Sequence, residues 1–266
     1  MGIVNVTPDS FSDGGNYFTL QTAIDHALRL EDEGCDILDI GGESTRPFSQ
    51  PVNEAAELER VVPVIERLIR RVQIPISIDT SKCRVAAAAI ELGAEIINDV
   101  TGLSGDPGML EVAVQSHAGI CAMHMQGTPQ NMQDNPQYTD VVADILLYLK
   151  QRRDHLVSSG IELQRVCLDP GIGFGKTHEH NLQLLKHIGD YHNLGCPILV
   201  GHSRKGMIGN VIGNSENSRL AGTIGLTLAI ALARIQILRV HDVAENRQAL
   251  QLFHAAGALD FEAPPA

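Results

Sequence analysis

One repeat unit of the chain spans residues 76–100 and reads ISIDTSKCRVAAAAIELGAEIINDV. A short β-branched run at 76–79 is followed by an alanine-rich stretch with helical periodicity at 82–92, and a second apolar run follows at 96–100. Gly93, just after the helical stretch, is a typical helix stop. Because the runs are largely apolar at consecutive positions, they indicate strands of a parallel sheet that is covered on both faces.

Similar runs occur along the whole chain. The eight predicted strands lie at 2–6, 36–40, 76–79, 96–100, 120–124, 166–169, 198–201 and 237–240. Predicted helices lie at 20–33, 54–72, 82–92, 138–159 and 243–256, with Asn53 and Ser81 as expected N-caps. Eight strand–helix units in 266 residues, with no linker, predict an α/β fold: a (β/α)8 TIM barrel that forms a single domain over 1–266. A doubly wound sheet is the alternative.

The composition restricts the partners. Lys plus Arg number 20 and Asp plus Glu number 32, so the formal net charge is 20 − 32 = −12. This charge argues against nucleic acid and membrane surfaces as partners, since both require positive patches. Five dispersed cysteines without a CxxC pair, and no secretory signal, predict a cytoplasmic protein with reduced thiols. The most apolar stretch, 220–233, is too short to span a bilayer and indicates a buried helix.

Polar residues occupy the ends of the predicted strands. In a (β/α)8 barrel the reaction centre lies at the C-terminal ends of the strands. One Asp or Asn after a strand is commonly only a helix cap or a turn residue, but so many of them predict one shared polar mouth. These residues are Asn5, Asp39, Asp79, Asn98, Asp99, His124, Asp169, His202 and His241.

Three familiar short motifs are each incomplete in this sequence. The segment 169–177, DPGIGFGKT, has Pro170 where a phosphate-binding loop requires glycine, and its evenly spaced glycines do not fit a dinucleotide fingerprint. We interpret it as a loop of low bulk that lets a flat ligand approach the backbone, with Phe174 as a wall. The segment 201–206, GHSRKG, has Lys205 where a hydrolase nucleophile elbow requires glycine.

Two further segments carry polar groups. Ser203 is expected to begin a helix whose N-terminus faces the pocket, whereas 178–180 (HEH) is interpreted as a solvated helix start rather than a metal site. A local cluster of cations near strand ends, or a divalent metal, is expected to hold a negatively charged substrate against the negative charge of the whole chain. The candidate cations share a position near the strand ends. They are Arg46, Arg204, Lys205, Arg239 and His241.

Seven segments together, in this order, resemble the dihydropteroate synthase family. They are MGIVNVTPDSFSDGG (1–15), DIGGESTRP (39–47), ISIDTSK (76–82), INDV (97–100), DPGIGFGK (169–176), SRK (203–205) and RVHD (239–242). The resemblance implies a transferase of folate biosynthesis that condenses (7,8-dihydropterin-6-yl)methyl diphosphate with 4-aminobenzoate by SN1-like substitution, giving 7,8-dihydropteroate and diphosphate. It also implies a Mg²⁺ cofactor, sulfonamides as competitors of aminobenzoate, and a homodimer.

The resemblance also assigns residues. Those that match the pterin site are Asp79, Asn98, Met123, Asp169 and Lys205. Those that match the diphosphate site are Asn5, Arg46, Arg239 and His241, with Asn5 also supplying an oxygen to Mg²⁺. Those that match the aminobenzoate site are Phe11, Thr45, Pro47, Phe174 and Ser203. The catalytic set implied is Asp79, Asp169, Lys205 and Arg239, and the loops 7–18 and 42–52 are expected to close over the substrates.

The chain departs from the family pattern in three ways. The family's N-terminal leader segment is apparently absent, because Met1 already lies within the first motif. Gly206 stands where serine is common, which removes an expected hydroxyl contact to the aminobenzoate carboxylate, and Ile172 replaces a frequent aromatic residue. Two alternatives use a similar pterin pocket: a corrinoid-dependent methyltransferase, which lacks both loops, and a non-catalytic paralogue, which loses diphosphate-binding residues.

Overall fold

Short parallel strands alternate with helices in the computed structural model, which describes residues 1–7, 16–213 and 219–258. The strands are β1 (Gly2–Asn5), β2 (Leu38–Gly41), β3 (Ile76–Asp79), β4 (Ile96–Asp99), β5 (Gly119–Met123), β6 (Val166–Asp169), β7 (Leu199–Val200) and β8 (Ile237–Leu238). The helices are α1 (Asn16–Asp32), α2 (Glu54–Leu68), α3 (Cys83–Leu92), α4 (Met109–Gln115), α5 (Val141–Ser158), α6 (His178–Lys186), α7 (Gly206–Ile212), α8 (Leu220–Leu232) and α9 (Val243–Ala255). Each of the eight predicted strands is present.

The strands form a closed ring. Strands β1 to β6 pair in chain order and in parallel, and β7 pairs with β8. Leu168 donates its N–H to the carbonyl of Pro197 at 3.0 Å, which joins β6 to the strand after it. Ile3 donates to the carbonyl of Val240 at 3.0 Å, which joins β8 to β1. Because these bonds close the described strands into a ring, the fold is the (β/α)8 barrel and not the doubly wound sheet.

The helix ends follow local signals in some places and tertiary contacts in others. Asn53 caps α2 as predicted, since its side chain accepts the N–H of Ala56 at 2.8 Å. Ser81 was the expected cap of α3, and this is wrong: the helix begins after Lys82, whose side chain makes no capping bond. The first N–H of α3, that of Cys83, is instead accepted by Asp106 Oδ2 at 2.9 Å.

The strand residues divide between two sides of the sheet. Successive side chains of a strand point to opposite faces. In β2, Leu38 and Ile40 belong to the apolar core beneath the helices, whereas Asp39 between them meets Asn98 and Arg239 inside the barrel. The same alternation decides which polar residues reach the barrel mouth.

Helix α8 is apolar around most of its circumference. Thr223, Thr227, Ile230 and Ala231 are buried, but Leu232 is 55% exposed. Prediction of a buried helix here is therefore correct for one face only. Within the described parts of the chain, no helix combines the length and apolarity needed to cross a membrane.

Candidate active site

A cavity of about 980 Å³ lies at the C-terminal ends of the strands. It brings together residues from both ends of the chain and from most of the β/α loops. The residues in its wall that match the pterin site are Asp79, Asn98, Met123, Asp169 and Lys205. Those that match the diphosphate site are Asn5, Arg46, Arg239 and His241. Those that match the aminobenzoate site are Thr45, Pro47, Phe174 and Ser203. Phe11 and most of the loop 7–18 lie outside the described residues, and the individual roles stay predictions.

Four of the nine strand-end residues do not line this cavity. Asp99 accepts the N–H groups of Thr101 at 2.7 Å and Leu103 at 3.0 Å, so it shapes the turn after β4. His202 lies 2.7 Å from Thr227 of α8 through its Nε2 atom. Asp99 follows the inward-facing Asn98 in β4 and therefore points outward, and the contact with Thr227 places His202 between the barrel and α8.

His124 also points outward, and it belongs to a buried cluster. Its ring lies edge-on to Tyr148 at 4.7 Å between centroids. Its Nδ1 atom is 3.0 Å from Lys176 Nζ. Burial and the nearby ammonium lower the pKa of His124 to about 3, so this histidine is neutral at physiological pH. The prediction that all nine polar ends share one mouth is thus wrong for Asp39, Asp99, His124 and His202.

Arg239 is held inside the barrel by two carboxylates. Its Nε donates to Asp39 Oδ2 at 2.6 Å, and its Nη2 donates to Asp79 Oδ2 at 2.7 Å. Asn98 Nδ2 donates to the same Asp39 oxygen at 3.1 Å. Burial raises the pKa of Asp79 to about 7, although Arg239 opposes this rise. Asp39 was expected at the mouth, but it is fully buried under the cavity and contributes to the site through its bonds to Arg239 and Asn98.

The glycines of the loop after β6 have a different structural role from the one we expected. A Cβ atom on Gly171 would lie 1.9 Å from the carbonyl oxygen of His124, and one on Gly175 would lie 2.5 Å from that of Gln126. Both residues have positive φ angles, 68° and 63°. These glycines therefore let the loop pack against the backbone that follows β5, rather than leave space for a ligand.

Hydrogen bonds fix the rest of this loop. Asp169 Oδ1 accepts the N–H of Gly171 at 2.6 Å. The amide of Asn181 accepts the N–H of Gly173 at 2.6 Å, and Gln133 donates to the Gly173 carbonyl at 2.8 Å. Burial raises the pKa of Asp169 against the opposing effect of the Gly171 hydrogen bond. The loop thus presents Phe174 to the cavity from a rigid backbone.

Lys205 connects this loop to the next strand end. Its ammonium donates to the carbonyl of Ile172 and lies 4.4 Å from the centroid of the Phe174 ring, as a cation–π pair. Burial lowers the pKa of Lys205 to about 8, while Asp169 opposes this fall. The predicted pterin residue and the predicted aromatic wall are therefore in direct contact.

Ser203 does not begin a helix. The short helix α7 begins at Gly206, with Lys205 as its N-cap residue and no side-chain capping bond. The Ser203 hydroxyl instead accepts the N–H of His241 at 3.2 Å and lies 3.0 Å from His241 Nδ1. A Cβ on Gly206 would meet nothing within 4 Å, so the serine that is common there would fit.

The expected cations are not equivalent. Burial, with further lowering by Arg204 and Arg239, brings the pKa of His241 to about 4, so this residue is a neutral hydrogen-bonding group at pH 7. Arg204 lies on the rim of the cavity and is paired with Asp242, its Nε atom 2.9 Å from Asp242 Oδ2. Among the five cations expected from the sequence, Arg46, Arg239 and Lys205 therefore supply most of the positive charge in the cavity.

Lys176 is a cavity residue that sequence reasoning left unassigned. It is 2% exposed, and its ammonium donates to the carbonyl of Phe174 at 2.8 Å. Burial lowers its pKa well below the usual lysine value, against a smaller opposing effect of Asp169. The sequence feature that could have assigned Lys176 to the cavity is its place in the motif DPGIGFGK. The segment 178–180 is a helix start as predicted, with Thr177 and His180 forming a capping box.

No group of three or more His, Cys, Asp or Glu side chains that could hold a metal occurs within 1–7, 16–213 and 219–258. The oxygen ligand that the cavity offers at the predicted position is the amide of Asn5. This donor set fits a Mg²⁺ ion that arrives with a diphosphate and keeps several of its waters, because such an ion needs few protein ligands.

Comparisons with known proteins show which family the chain matches. Residues 1–241 match the family described as pterin binding enzyme. The chain is 43% identical over 255 residues to dihydropteroate synthase of Escherichia coli K12, covering 96% of this chain and 90% of that protein. It is similar to the Yersinia pestis dihydropteroate synthase in a sulfonamide drug complex, with a TM-score of 0.91, 44% identity, and coverage of 97% and 94%. The Xanthomonas albilineans dihydropteroate synthase with 4-aminobenzoic acid gives a TM-score of 0.90, 45% identity, and coverage of 97% and 92%.

Proposed function

The chain belongs to the pterin binding enzyme family, among the dihydropteroate synthases, and from this membership we propose how its cavity condenses (7,8-dihydropterin-6-yl)methyl diphosphate with 4-aminobenzoate. One observation supports the proposal most. A single cavity contains every described residue that matches the pterin, diphosphate and aminobenzoate sites. The two alternatives lack either the loops or the diphosphate residues, and Asn5, Arg46, Arg239 and His241 all line this cavity.

The pterin is proposed to lie on the polar floor of the cavity. A pterin edge alternates hydrogen-bond donors and acceptors, so carboxylate and amide groups can pair with it in the ring plane. Asp169, buried and already bonded to Gly171, and Asn98 beside Asp39 supply such groups. Met123 lies in the same wall and is suited to packing against the ring face.

The diphosphate is proposed to lie between Arg46, Arg239 and His241. Two of the five N–H donors of Arg239 are used by Asp39 and Asp79, which leaves three for phosphate oxygens. His241 is neutral and contributes a hydrogen bond rather than a charge. Mg²⁺ bound through the Asn5 oxygen would supply further neutralisation of the leaving diphosphate.

The reaction is proposed to proceed by cleavage before attack. The bond between the pterin methylene carbon and the diphosphate oxygen breaks, and its electron pair leaves with the diphosphate, assisted by Arg46 and Arg239. The carbocation is delocalised into the pterin ring, where the carboxylates of Asp79 and Asp169 favour positive charge. The amine of aminobenzoate then forms the C–N bond and loses one proton to solvent. An aromatic amine is already unprotonated near neutral pH, so positioning and electrostatics supply the catalysis.

Aminobenzoate is proposed to lie against Phe174, with Thr45, Pro47 and Ser203 around it. The Lys205 ammonium lies over the Phe174 ring, and the Phe174 carbonyl accepts a hydrogen bond from Lys176. A rigid aromatic wall of this kind suits a flat benzoate ring. Sulfonamides are proposed to compete at the same position, as their presence with the Yersinia pestis relative suggests.

A homodimer and a cytoplasmic location are proposed on separate grounds. Helix α8 leaves Leu232 55% exposed, and the preceding helix α7 leaves Val211 62% exposed and Ile212 49% exposed. An apolar surface of this kind is typical of a protein–protein interface. All five cysteines lie within the described residues and are free thiols, as expected for a reducing compartment.

One assay tests the proposed function. The protein is incubated with the pterin diphosphate, 4-aminobenzoate and Mg²⁺, and formation of 7,8-dihydropteroate is followed by chromatography. Product that depends on all three components is expected. Bound pterin without product would instead identify a non-catalytic pterin-binding paralogue.

A further inference from the structure

A buried ion cluster lies beside the cavity and has no part in the mechanism above. Lys82 Nζ is 2.5 Å from Glu43 Oε2 and 2.5 Å from Glu57 Oε2. The Glu57 side chain is fully buried, and those of Lys82 and Glu43 are each 20% exposed. Burying two carboxylates around one ammonium away from water costs free energy unless each group is well hydrogen-bonded. The geometry of the cluster is therefore strongly constrained.

Glu43 closes the loop that carries the predicted substrate residues. While Glu43 Oε2 meets Lys82, its Oε1 accepts the N–H of Val52 at 2.9 Å. One carboxylate therefore joins the two ends of the segment 44–51, which contains Thr45, Arg46 and Pro47. Arg60 of α2 also donates to the Gly42 carbonyl at 2.7 Å, which fixes the residue before Glu43.

Lys82 links this loop to the pterin side of the cavity. It follows β3 by three residues, and β3 ends at Asp79. The N–H of Lys82 is bonded to Thr80 Oγ1 at 3.2 Å, which holds the turn between the strand and Lys82. The pterin strand end and the base of the 44–51 loop are thus connected through one lysine side chain.

We propose that Lys82 is a positioning residue, which rests on the proposed diphosphate and aminobenzoate sites: it holds Glu43 so that the 44–51 loop keeps Arg46 and Pro47 over the cavity. Without its ammonium, Glu43 would lose the cation that holds it in place and would turn to solvent. The Val52 N–H would then lose its acceptor. Lys82 also halves the negative charge of the cluster beside the cavity, from two carboxylates to a net charge of one.

The test separates loop positioning from loss of the fold. Lys82→Met is compared with Lys82→Arg and with the double variant Lys82→Met/Glu57→Gln, in which no charged carboxylate is left buried without a partner. Lys82→Met should raise the aminobenzoate KM about tenfold and lower kcat, since the loop serves the second substrate and the transition state. Affinity for the pterin alcohol, which lacks the diphosphate, should change by less than about twofold. The conservative variant Lys82→Arg should keep most of the activity of the unchanged protein.

Hydrogen exchange gives a readout that does not depend on turnover. In the Lys82→Met/Glu57→Gln variant, the Val52 amide should exchange at least about tenfold faster than in the unchanged protein. Amides of α3 should keep their protection. Arg84→Ala is the matched control, because it removes an exposed ion pair with Glu54 from the same two helices and should change neither KM nor exchange at Val52.

Two results would overturn the proposal. The first is a folded double variant with unchanged aminobenzoate KM and unchanged exchange at Val52. The second is a Lys82→Met variant in which pterin affinity falls and the aminobenzoate KM rises, with both returning to normal when Glu57→Gln is added. That result is expected if the ion pair only stabilises the fold. Failure of the unchanged protein to form dihydropteroate would count against the proposed function instead, because the exchange result is independent of it.

Discussion

Arg239 is held by Asp39 and Asp79 before any substrate binds. This arrangement orients the guanidinium in advance, which lowers the entropy that must be lost when the diphosphate arrives. Arg239 also stabilises the fold, because removal of its side chain would leave the fully buried Asp39 carboxylate without this cation. Function and stability are therefore coupled at this residue.

Arg239→Ala is expected to lower kcat/KM by about 10²–10³-fold through the loss of one diphosphate contact. It should also lower the free energy of unfolding by about 3–5 kcal/mol, because a buried ion pair is broken on one side. Steady-state kinetics and urea unfolding measure the two effects. The control Arg239→Ala/Asp39→Asn should recover stability but not activity; recovery of both would contradict a role in diphosphate binding.

Asp169→Asn is expected to weaken pterin binding by about 10–100-fold, since a hydrogen bond to a charged acceptor contributes about 1.5–3 kcal/mol. The amide oxygen can still accept the Gly171 N–H, so the glycine-rich loop should keep its shape. Isothermal titration with a pterin measures the change. Unchanged affinity would mean that the pterin lies elsewhere in the cavity.

The pH dependence of pterin binding follows from Asp79, whose pKa is raised to about 7 by burial. If the carboxylate is the form that accepts pterin N–H groups, affinity should fall about tenfold per pH unit below pH 7 and level off above it. Titrations from pH 5.5 to 8.5 check this. The variant Asp79→Asn should show weaker binding with no such slope, and a slope that survives in it would assign the titration to another group.

At the scale of elements, the loop after β6 shows how glycine serves packing. Gly171 and Gly175 allow the loop to approach the backbone after β5, and the buried Lys176 and Asn181 side chains bond its carbonyl and N–H groups. Ile172, which replaces a frequent aromatic residue of the family, is buried in the core. The element holds its shape through these contacts and so keeps Phe174 in place.

Gly171→Ala is expected to destabilise the protein by more than about 1 kcal/mol, because the new Cβ would overlap the His124 carbonyl and the φ of 68° disfavours alanine. Chemical unfolding monitored by circular dichroism gives the change in the free energy of unfolding. Gly189→Ala is the control, since its Cβ would meet nothing within 4 Å. Equal stability of the two variants would show that the loop can move away from β5 at little cost.

At the scale of the whole molecule, the closed ring places residues from opposite ends of the chain side by side. Met1 and Leu238 are joined by a hydrogen bond of 3.0 Å, and the cavity contains both Asn5 and His241. Helices α7 and α8 each carry exposed apolar side chains, among them Val211 and Leu232. The proposed homodimer is therefore assigned to this side of the barrel.

Leu232→Glu is expected to convert the proposed homodimer into a monomer, because a carboxylate would have to be buried at the interface. Light scattering gives the molar mass, which should fall by half. Leu147→Glu is a matched control: this leucine is also 55% exposed but lies on α5. A molar mass that Leu232→Glu leaves unchanged would place the interface elsewhere.

Sequence pattern alone predicted the barrel and its eight strands, because strand periodicity and glycine stops are local signals. Polar strand ends predicted a shared mouth that five of the nine named residues line, and the resemblance to the family supplied the other residues around the cavity. Helix starts were less certain, as Ser81 shows, since a carboxylate distant in sequence can accept the first N–H of a helix.

Only the tertiary structure decided which polar groups meet. Strand alternation directs Asn98 into the cavity and the adjacent Asp99 away from it. Ring closure brings Arg239 to Asp39, 200 positions apart in the sequence. Burial makes His241 neutral rather than cationic, and the ion cluster around Lys82 depends on residues from three separate segments. These properties depend on distance and desolvation in the folded chain, which no local pattern of residues encodes.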